Sequence, residues 1–229
     1  DKDIEIVPFE LLEENNINDV IRNGNFTEVY NLAAQSFVGS SYATPLFTSN
    51  VNALGVTRIL EAIKNYSNKT RFYQASTSEM YGNSISKQQN ENTSFQPTSP
   101  YAISKLYAHW MVNLYRDAYK IFCCSGILFN HESPLRGSEF VTKKIISDLA
   151  RVKSNIIPFV KLGNIYSKRD WGYSEDYVGA MWKMLQQKKP DDYVISSGST
   201  NTVKSFVNKA AKHFDLDLIW KGRGLNEKA

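Results

Sequence analysis

The sequence predicts an α/β protein: a doubly wound parallel sheet accompanied by a smaller α/β lobe. Three observations predict it. Short apolar runs alternate with amphipathic stretches along the chain, as strands joined by helical crossovers do. One run, Ile121 to Phe129, is apolar almost throughout, the character of a strand buried on both faces. The composition is that of an ordinary globular chain, with 229 residues, 42% hydrophobic, 22% charged and 13% aromatic. So many aromatic residues exclude a disordered tail.

Taken in order, Thr27 to Leu32 reads as a buried strand. Asn52 to Tyr66 places Leu54, Ile59, Leu60 and Ile63 on one helical face. Arg71 to Ser76 is a second strand, and Asn83 to Pro100, polar and holding two prolines besides Gln88, Gln89, Asn90 and Asn92, is a loop. Tyr101 to Tyr119 is the longest helical pattern, and Ile121 to Phe129 the third strand. His131 to Gly137 reads as loop. Phe140 to Val152 is a helix with Val141, Ile145, Ile146 and Leu149 in register; further helices cover Asp176 to Gln187 and Thr202 to Phe214. Tyr193 to Ser197 is a strand that returns to the first sheet. The expected division is therefore 1–130 and 131–229, interleaved around 176–198.

Charge and cysteine narrow the class further. The net charge of +4 is spread along the chain, and the densest basic spots are only the pairs Lys143-Lys144 and Lys188-Lys189. That is too short for a nucleic-acid footprint. No run approaches the ~18 apolar residues of a membrane span, and no secretory leader opens the chain. Cys123 and Cys124 are the only cysteines and are adjacent, which gives no disulfide framework and suggests a reducing cytoplasm. We expect no nucleic-acid partner, no membrane and no metal.

The chemistry is carried by Tyr101-Ala102-Ile103-Ser104-Lys105, preceded by Ser99-Pro100. Tyr and Lys four apart on a helix share a face. A phenol is a poor base at neutral pH because its reference pKa is about 10, and a neighbouring ammonium favours the phenolate. Alone the pattern is cheap; most such pairs are a half-buried ring beside a solvated lysine. Its context adds weight. The second strand runs into Ala75-Ser76-Thr77-Ser78-Glu79, and residues past the carboxyl end of a parallel strand face the ligand crevice. Thr77 can hydrogen-bond a substrate oxygen there, and Glu79 brings a carboxylate. The plainer alternatives are a helix cap for Thr77 and a first-turn acid for Glu79.

With these residues in place the chain resembles the extended short-chain dehydrogenase/reductases, a family with a Rossmann-like sheet and a Tyr-x-x-x-Lys pair. Within it the likeness is to the dehydratases that act on GDP-mannose. The segments are Tyr30 to Ser36, Phe72 to Gly82, Ser99 to Ala102, Gly126 to Pro134 and Arg169 to Gly172. The string Leu128-Phe129-Asn130-His131-Glu132-Ser133-Pro134 is the most diagnostic. The likeness runs from about Phe9 to about Lys228.

The resemblance implies NADP as cofactor, with 1–130 holding it and 131–229 binding substrate. It implies that Tyr101 takes the proton of the sugar C4 hydroxyl while hydride passes to NADP. Glu79 removes the C5 proton, water leaves from C6, and the hydride returns there. Thr77 would hold the C4 oxygen, and Lys105 the nicotinamide ribose. Further cofactor positions are Glu10 and Leu11, the loop Leu32, Ala33, Ala34, Gln35 and Ser36, then Phe47, His131 and Arg136. Phe47 stands where the family usually has tyrosine. Substrate positions are Ser78, Asn130, Lys144 and Arg169; an arginine fork suits a diphosphate, with a surface ion pair to Asp170 the plainer alternative. Trp171 is expected in the core. The family also implies a homodimer or homotetramer.

The sequence departs from the family at its front. No glycine-rich turn follows the first strand, and the first glycine is Gly24. The family's opening strand, opening helix and the basic segment that separates NADP from NAD have no counterpart, and the chain stops at Glu227-Lys228-Ala229. The expectation is that the full protein carries segments missing from this chain. Two other functions stay open. One is a dehydratase or epimerase of UDP- or dTDP-hexoses; such dehydratases usually carry Asp where Ser78 stands, and epimerases usually lack the carboxylate of Glu79. The other is a dehydrogenase-like protein that only binds.

Overall fold

In the computed structural model, which describes residues 4–86, 88–224 and 227–228, seven strands and eight helices alternate. The outer ends of the expected ranges 1–130 and 131–229 lie outside the described residues. The strands are β1 (Glu28–Asn31), β2 (Arg71–Thr77), β3 (Cys123–Leu128), β4 (Asn130–Glu132), β5 (Lys168–Tyr173), β6 (Asp192–Ile195) and β7 (Thr200–Thr202). The helices are α1 (Glu14–Gly24), α2 (Val38–Ser41), α3 (Pro45–Ser49), α4 (Gly55–Tyr66), α5 (Pro100–Tyr119), α6 (Val141–Lys153), α7 (Ser174–Leu185) and α8 (Val203–His213). The chain divides into two units, Asp1–Leu128 with Val178–Ile195, and Phe129–Tyr177 with Ser196–Ala229.

The first unit holds a parallel sheet in the order β1-β2-β3-β6. Val29 lies beside Phe72, Phe72 beside Cys123, and Gly126 beside Tyr193. The expected return of the strand at 193–197 is therefore correct, with bounds of 192–195. All six residues of β3 are buried, which accounts for its unbroken apolar run. On one face Phe72 and Cys123 meet Ile17 and Ile21 of α1, Ile59 and Ile63 of α4, and Val112 of α5. Each such fully buried aliphatic chain contributes roughly 2 kcal/mol of hydrophobic free energy. On the opposite pleat lies Tyr73, whose hydroxyl passes so close to β3 that a Cβ on Gly126 would sit 2.3 Å from it. Only glycine fits that approach.

Helix α5 begins one residue earlier than its pattern predicts. Pro100 takes the first helical position, where its missing N–H costs nothing, and Ser99 Oγ accepts from Ala102 N–H at 3.1 Å. The loop thus ends at Ser99. The helix expected over 52–66 is divided: Asn50–Leu54 forms a π turn, and regular α4 starts at Gly55. In the second unit β4 pairs parallel with β5, and β5 antiparallel with β7. Ile145 and Leu149 of α6 pack with Val203 and Val207 of α8. Trp171, expected in the core, is half-buried against it, its ring tilted at 5.4 Å from that of Phe206. The segment 131–137, read as loop, opens within β4. Helices α1 to α3 and strands β5 and β7 are further departures from expectation.

One buried polar cluster ties β6 to α5. Arg116 donates to Asp192 Oδ1 at 2.6 Å and to the Cys123 carbonyl at 2.8 Å. His109 Nε2 lies 3.6 Å from Asp192 Oδ2, and its buried Nδ1 has no hydrogen-bond partner among the described residues. Burial holds the imidazole below its ordinary pKa of 6.5, with Asp192 opposing and Arg116 reinforcing the shift. Below pH 6.5 the unfolded chain therefore takes up a proton that the folded chain refuses, so stability falls as pH falls. Urea denaturation at stepped pH checks this: the expected result is a stability slope below pH 6.5 that is shallower in His109→Gln. An unchanged slope would exclude His109 as its source.

Candidate active site

The carboxyl end of β2 and the amino-terminal turns of α5, packed together in the first unit, bring four of the expected residues into one neighbourhood. Thr77 ends β2 and caps the 3₁₀ turn Ser78–Tyr81, its Oγ1 accepting from Glu79 N–H at 3.2 Å. The turn closes at Gly82, whose φ of +49° and contact with the Gln96 carbonyl exclude a side chain. Glu79 and Ser78 are half-buried. The plainer alternative for Thr77, a helix cap, is thus realised. It does not exclude the functional one, because a hydroxyl that accepts one bond still has its own proton to donate.

Tyr101 and Lys105 occupy successive turns of α5 and both are buried. Lys105 Nζ lies 6.0 Å from the centroid of the Tyr101 ring and donates to the Ala75 carbonyl at 2.9 Å. The ammonium is therefore drawn to the end of β2 and away from solvent. Desolvation pushes its pKa down from 10.5 to about 8. A lysine so placed, with two further N–H donors, is equipped to bind ligand hydroxyls rather than to cover surface. This argues against the commoner arrangement of a solvated lysine beside a packed ring.

The loop after β1 runs through Leu32, Ala33, Ala34, Gln35 and Ser36. Leu32 is 57% exposed, Ala33 and Ser36 are exposed, and Ala34 and Gln35 are half-buried. The backbone of Gln35 is held by Asn52, a residue absent from the expected site; a lone asparagine in a helical pattern carries no sequence signal of this. Phe47, in α3, is exposed. Glu10 folds onto its own chain: its Oε1 accepts from Leu12 N–H at 3.2 Å, and its carbonyl accepts from Glu13 N–H at 3.0 Å. Leu11 is a core residue at 5% exposure, and its carbonyl accepts from Arg58 at 2.9 Å.

The remaining candidates lie in the second unit. Asn130 and His131 are in β4. His131 bonds the Phe129 carbonyl through Nδ1 at 2.9 Å and stacks on Tyr177 at 4.7 Å. Arg136 pairs with Glu132 at 3.3 Å and lies over the Phe140 ring. Lys144 is shared between Asp148 at 2.7 Å and the Lys161 carbonyl at 2.9 Å. Arg169 is exposed and, among the described residues, forms no ion pair. The alternative pairing with Asp170 does not occur, because successive β5 residues face opposite ways and Asp170 Oδ1 accepts from Ser197 N–H at 2.9 Å.

A surface hollow of about 380 Å³, lined in part by Phe26, Glu28 and Arg71, lies at the amino ends of β1 and β2, the wrong ends for this chemistry. Cys123 and Cys124 are buried, and burial pushes the Cys123 thiol up to about 12, so neither is a nucleophile. Among the described residues no group of three His, Cys, Asp or Glu could hold a metal, and no helix is long and apolar enough to cross a membrane.

Comparison with known proteins bears on this geometry. A family model described as GDP-mannose 4,6 dehydratase matches residues 1–229. A GDP-mannose 4,6 dehydratase of Drosophila melanogaster is 51% identical over 203 residues, 88% of this chain and 51% of the relative. One of Dictyostelium discoideum is 46% identical over 221 residues, 96% of this chain and 62% of the relative. The chain thus spans between half and two thirds of the length of these relatives. Among solved structures, RMD from Pseudomonas aeruginosa complexed with NADPH superposes with a TM-score of 0.86 at 24% identity, covering 93% of this chain and 74% of that one. A UDP-glucose 4-epimerase from Thermotoga maritima gives 0.85 at 20% identity, covering 96% and 71%. At these identities the structural matches establish the Rossmann-like fold alone.

Proposed function

Because the chain belongs to the GDP-mannose 4,6-dehydratase family, we propose that it is the catalytic part of an NADP-dependent lyase that converts GDP-mannose to GDP-4-keto-6-deoxymannose. The observation that carries this is the desolvated Lys105, anchored to the end of β2 beside Tyr101 and the Thr77–Glu79 turn. The residues present fit the ribose and nicotinamide half of NADP. Lys105 offers two N–H donors for ribose hydroxyls, and Leu32, Ala33 and Ala34 of the loop 32–36 offer an apolar wall. When bound there, NADP would supply the acceptor for hydride from sugar C4 and its donor to C6.

The protein's own groups handle the protons. Tyr101 takes the proton of the C4 hydroxyl, and the ammonium of Lys105 stabilises the charge its phenol carries. Thr77 donates its hydroxyl proton to the C4 oxygen while Glu79 N–H occupies a lone pair of the same Oγ1. The C4 ketone acidifies C5, Glu79 removes that proton, and its protonated carboxyl gives it to the departing C6 hydroxyl, which leaves as water; as C6 regains hydride, C5 takes up the proton held by Tyr101, so both groups return to their starting states. Ser78 lines the same turn. In the second unit Arg169, which donates to the Lys168 carbonyl at 2.7 Å and forms no ion pair among the described residues, is assigned to the diphosphate with Lys144, and Asn130 to the sugar nucleotide. His131 and Arg136 are assigned to the cofactor, as are Glu10, Leu11 and Phe47. We assign the first unit to NADP and the second to substrate, and place the protein in the cytoplasm as a homo-oligomer. The outward stripe Ile103, Tyr107, Trp110 and Leu114 of α5 supports self-association.

The deciding experiment incubates the full-length protein with GDP-mannose and NADP and follows the nucleotide sugar by mass. A product lighter by one water, without net reduction of NADP, is expected. Equal or better turnover of a UDP- or dTDP-hexose would replace the substrate assignment. For Glu79→Gln, solvent exchange at C5 falls about 10²-fold while GDP-mannose affinity stays within ~3-fold. Parallel loss of both would give Glu79 a structural role instead.

A further inference from the structure

Gln35, in the loop that follows β1, has both of its backbone groups held by one side chain. Asn52 Oδ1 accepts from Gln35 N–H at 2.9 Å, and Asn52 Nδ2 donates to the Gln35 carbonyl at 3.0 Å. The amide of Asn52 thus plays the part of a neighbouring strand where β1 has ended, satisfying two groups that would otherwise be left unpaired. The same Nδ2 lies 3.3 Å from Ser104 Oγ, and the Ser104 hydroxyl donates to the Tyr101 carbonyl at 2.7 Å. Asn52 is 1% exposed and sits in the π turn Asn50–Leu54. Turns of this kind recur inside α-helices at functional sites.

The stretch Leu32 to Ala34, exposed at Leu32 and Ala33, has no polar side chain with which to fix itself. Besides Asn52, the side chain of Gln35 ties the loop down, through Phe37, Ser40 and Thr48. We propose that Asn52 is a positioning residue for the cofactor: it locks the loop 32–36 against the helix that carries Tyr101, so that the cofactor meets a preformed wall. The inference rests on the NADP assignment above. Its physical content is preorganisation, because a loop ordered before binding costs no ordering when the ligand arrives. The loss on removing Asn52 therefore falls on cofactor affinity more than on substrate affinity.

The test uses the full-length protein and NADPH fluorescence titration, with thermal denaturation alongside. Asn52→Ala is expected to weaken NADPH binding about ten-fold or more and GDP-mannose binding less than ~2-fold. Asn52→Asp keeps the size and the acceptor but loses both donors, and is expected to weaken NADPH at least ~3-fold. Ile59→Val, in the core face of α4, lowers Tm without touching the loop and is expected to leave NADPH affinity within ~2-fold. Unchanged affinity in Asn52→Ala, or equal losses in Asn52→Ala and Ile59→Val, would overturn the proposal. If Asn52→Ala does not fold, Asn52→Asp decides by its own threshold. A wild-type protein that fails to bind NADPH would sink the cofactor assignment and this role with it. Wild-type binding with indifferent Asn52 variants would sink this role alone.

Discussion

Replacing Tyr101 by Phe lowers kcat by about 10³-fold or more while Tm and NADPH affinity change little. The ring is 9% exposed and the substitution keeps it, so packing at the start of α5 survives. What is lost is one hydroxyl, the group proposed to take the C4 proton, and positioned acid–base groups contribute roughly 10²–10⁴ in rate. The upper part of that range is expected because nothing nearby replaces the phenol. In the proposed mechanism Glu79 is assigned to C5, and Lys105, which donates to the Ala75 carbonyl, is a cation and cannot take the C4 proton in place of the phenol. KM for GDP-mannose should stay within a few-fold, since the lost interaction matters chiefly in the transition state. Steady-state kinetics and NADPH titration on the same preparation check the split. Turnover within ~10-fold of wild type would remove Tyr101 from proton transfer.

The parts of the fold visible in the sequence are those whose residues face a single environment. Strand β3 reads plainly because Cys123 to Leu128 are buried on both faces, and α5 because its inward positions Ala108, Val112 and Tyr115 recur at helical spacing. Helix α1 was hidden by Asn15, Asn16 and Asn18, poor helix formers; it is held by Ile17 and Ile21 packing toward α4, a tertiary effect. Strand β5 was hidden by Lys168, Arg169 and Asp170. Their charge argues against a strand, but pairing with both β4 and β7 outweighs it.

The candidate site divides in the same way. The Tyr101–Lys105 spacing and the Thr77–Glu79 turn are local, so sequence alone places them on one helix face and one strand end. The burial of Lys105 and the grip of Asn52 on Gln35 depend on residues 30 and 17 positions away. A lysine in an amphipathic pattern reads as solvated, and an asparagine in a helix reads as indifferent. Only the packing of α5 and of the π turn against the ends of β2 and β1 reveals what each does.

Lys105→Met sharply lowers turnover and raises stability. Because burial pushes the Lys105 pKa from 10.5 to about 8, and each pKa unit is worth about 1.4 kcal/mol, holding this ammonium inside the protein at pH 7 costs on the order of 3 kcal/mol. Removing it forfeits one hydrogen bond, worth about 1 kcal/mol. The Ala75 carbonyl is not stranded, however, since Gln74 Nε2 also donates to it at 3.0 Å. A net gain of about 1–2 kcal/mol is therefore expected at neutral pH, with kcat falling about 10³-fold as ribose positioning and charge are lost. The pH dependence separates this from a generic packing effect. Below about pH 8 both folded and unfolded wild-type chains carry the proton, and the cost is constant. Between about 8 and 10.5 the folded chain has released a proton that the unfolded chain keeps, so wild-type stability gains on the variant as pH rises. Chemical denaturation of both proteins from pH 7 to 10 should show the variant's advantage shrinking across that window. A constant difference, or a variant less stable at pH 7, would mean that Lys105 is not held against a desolvation cost, and the strongest physical support for its functional assignment would be gone.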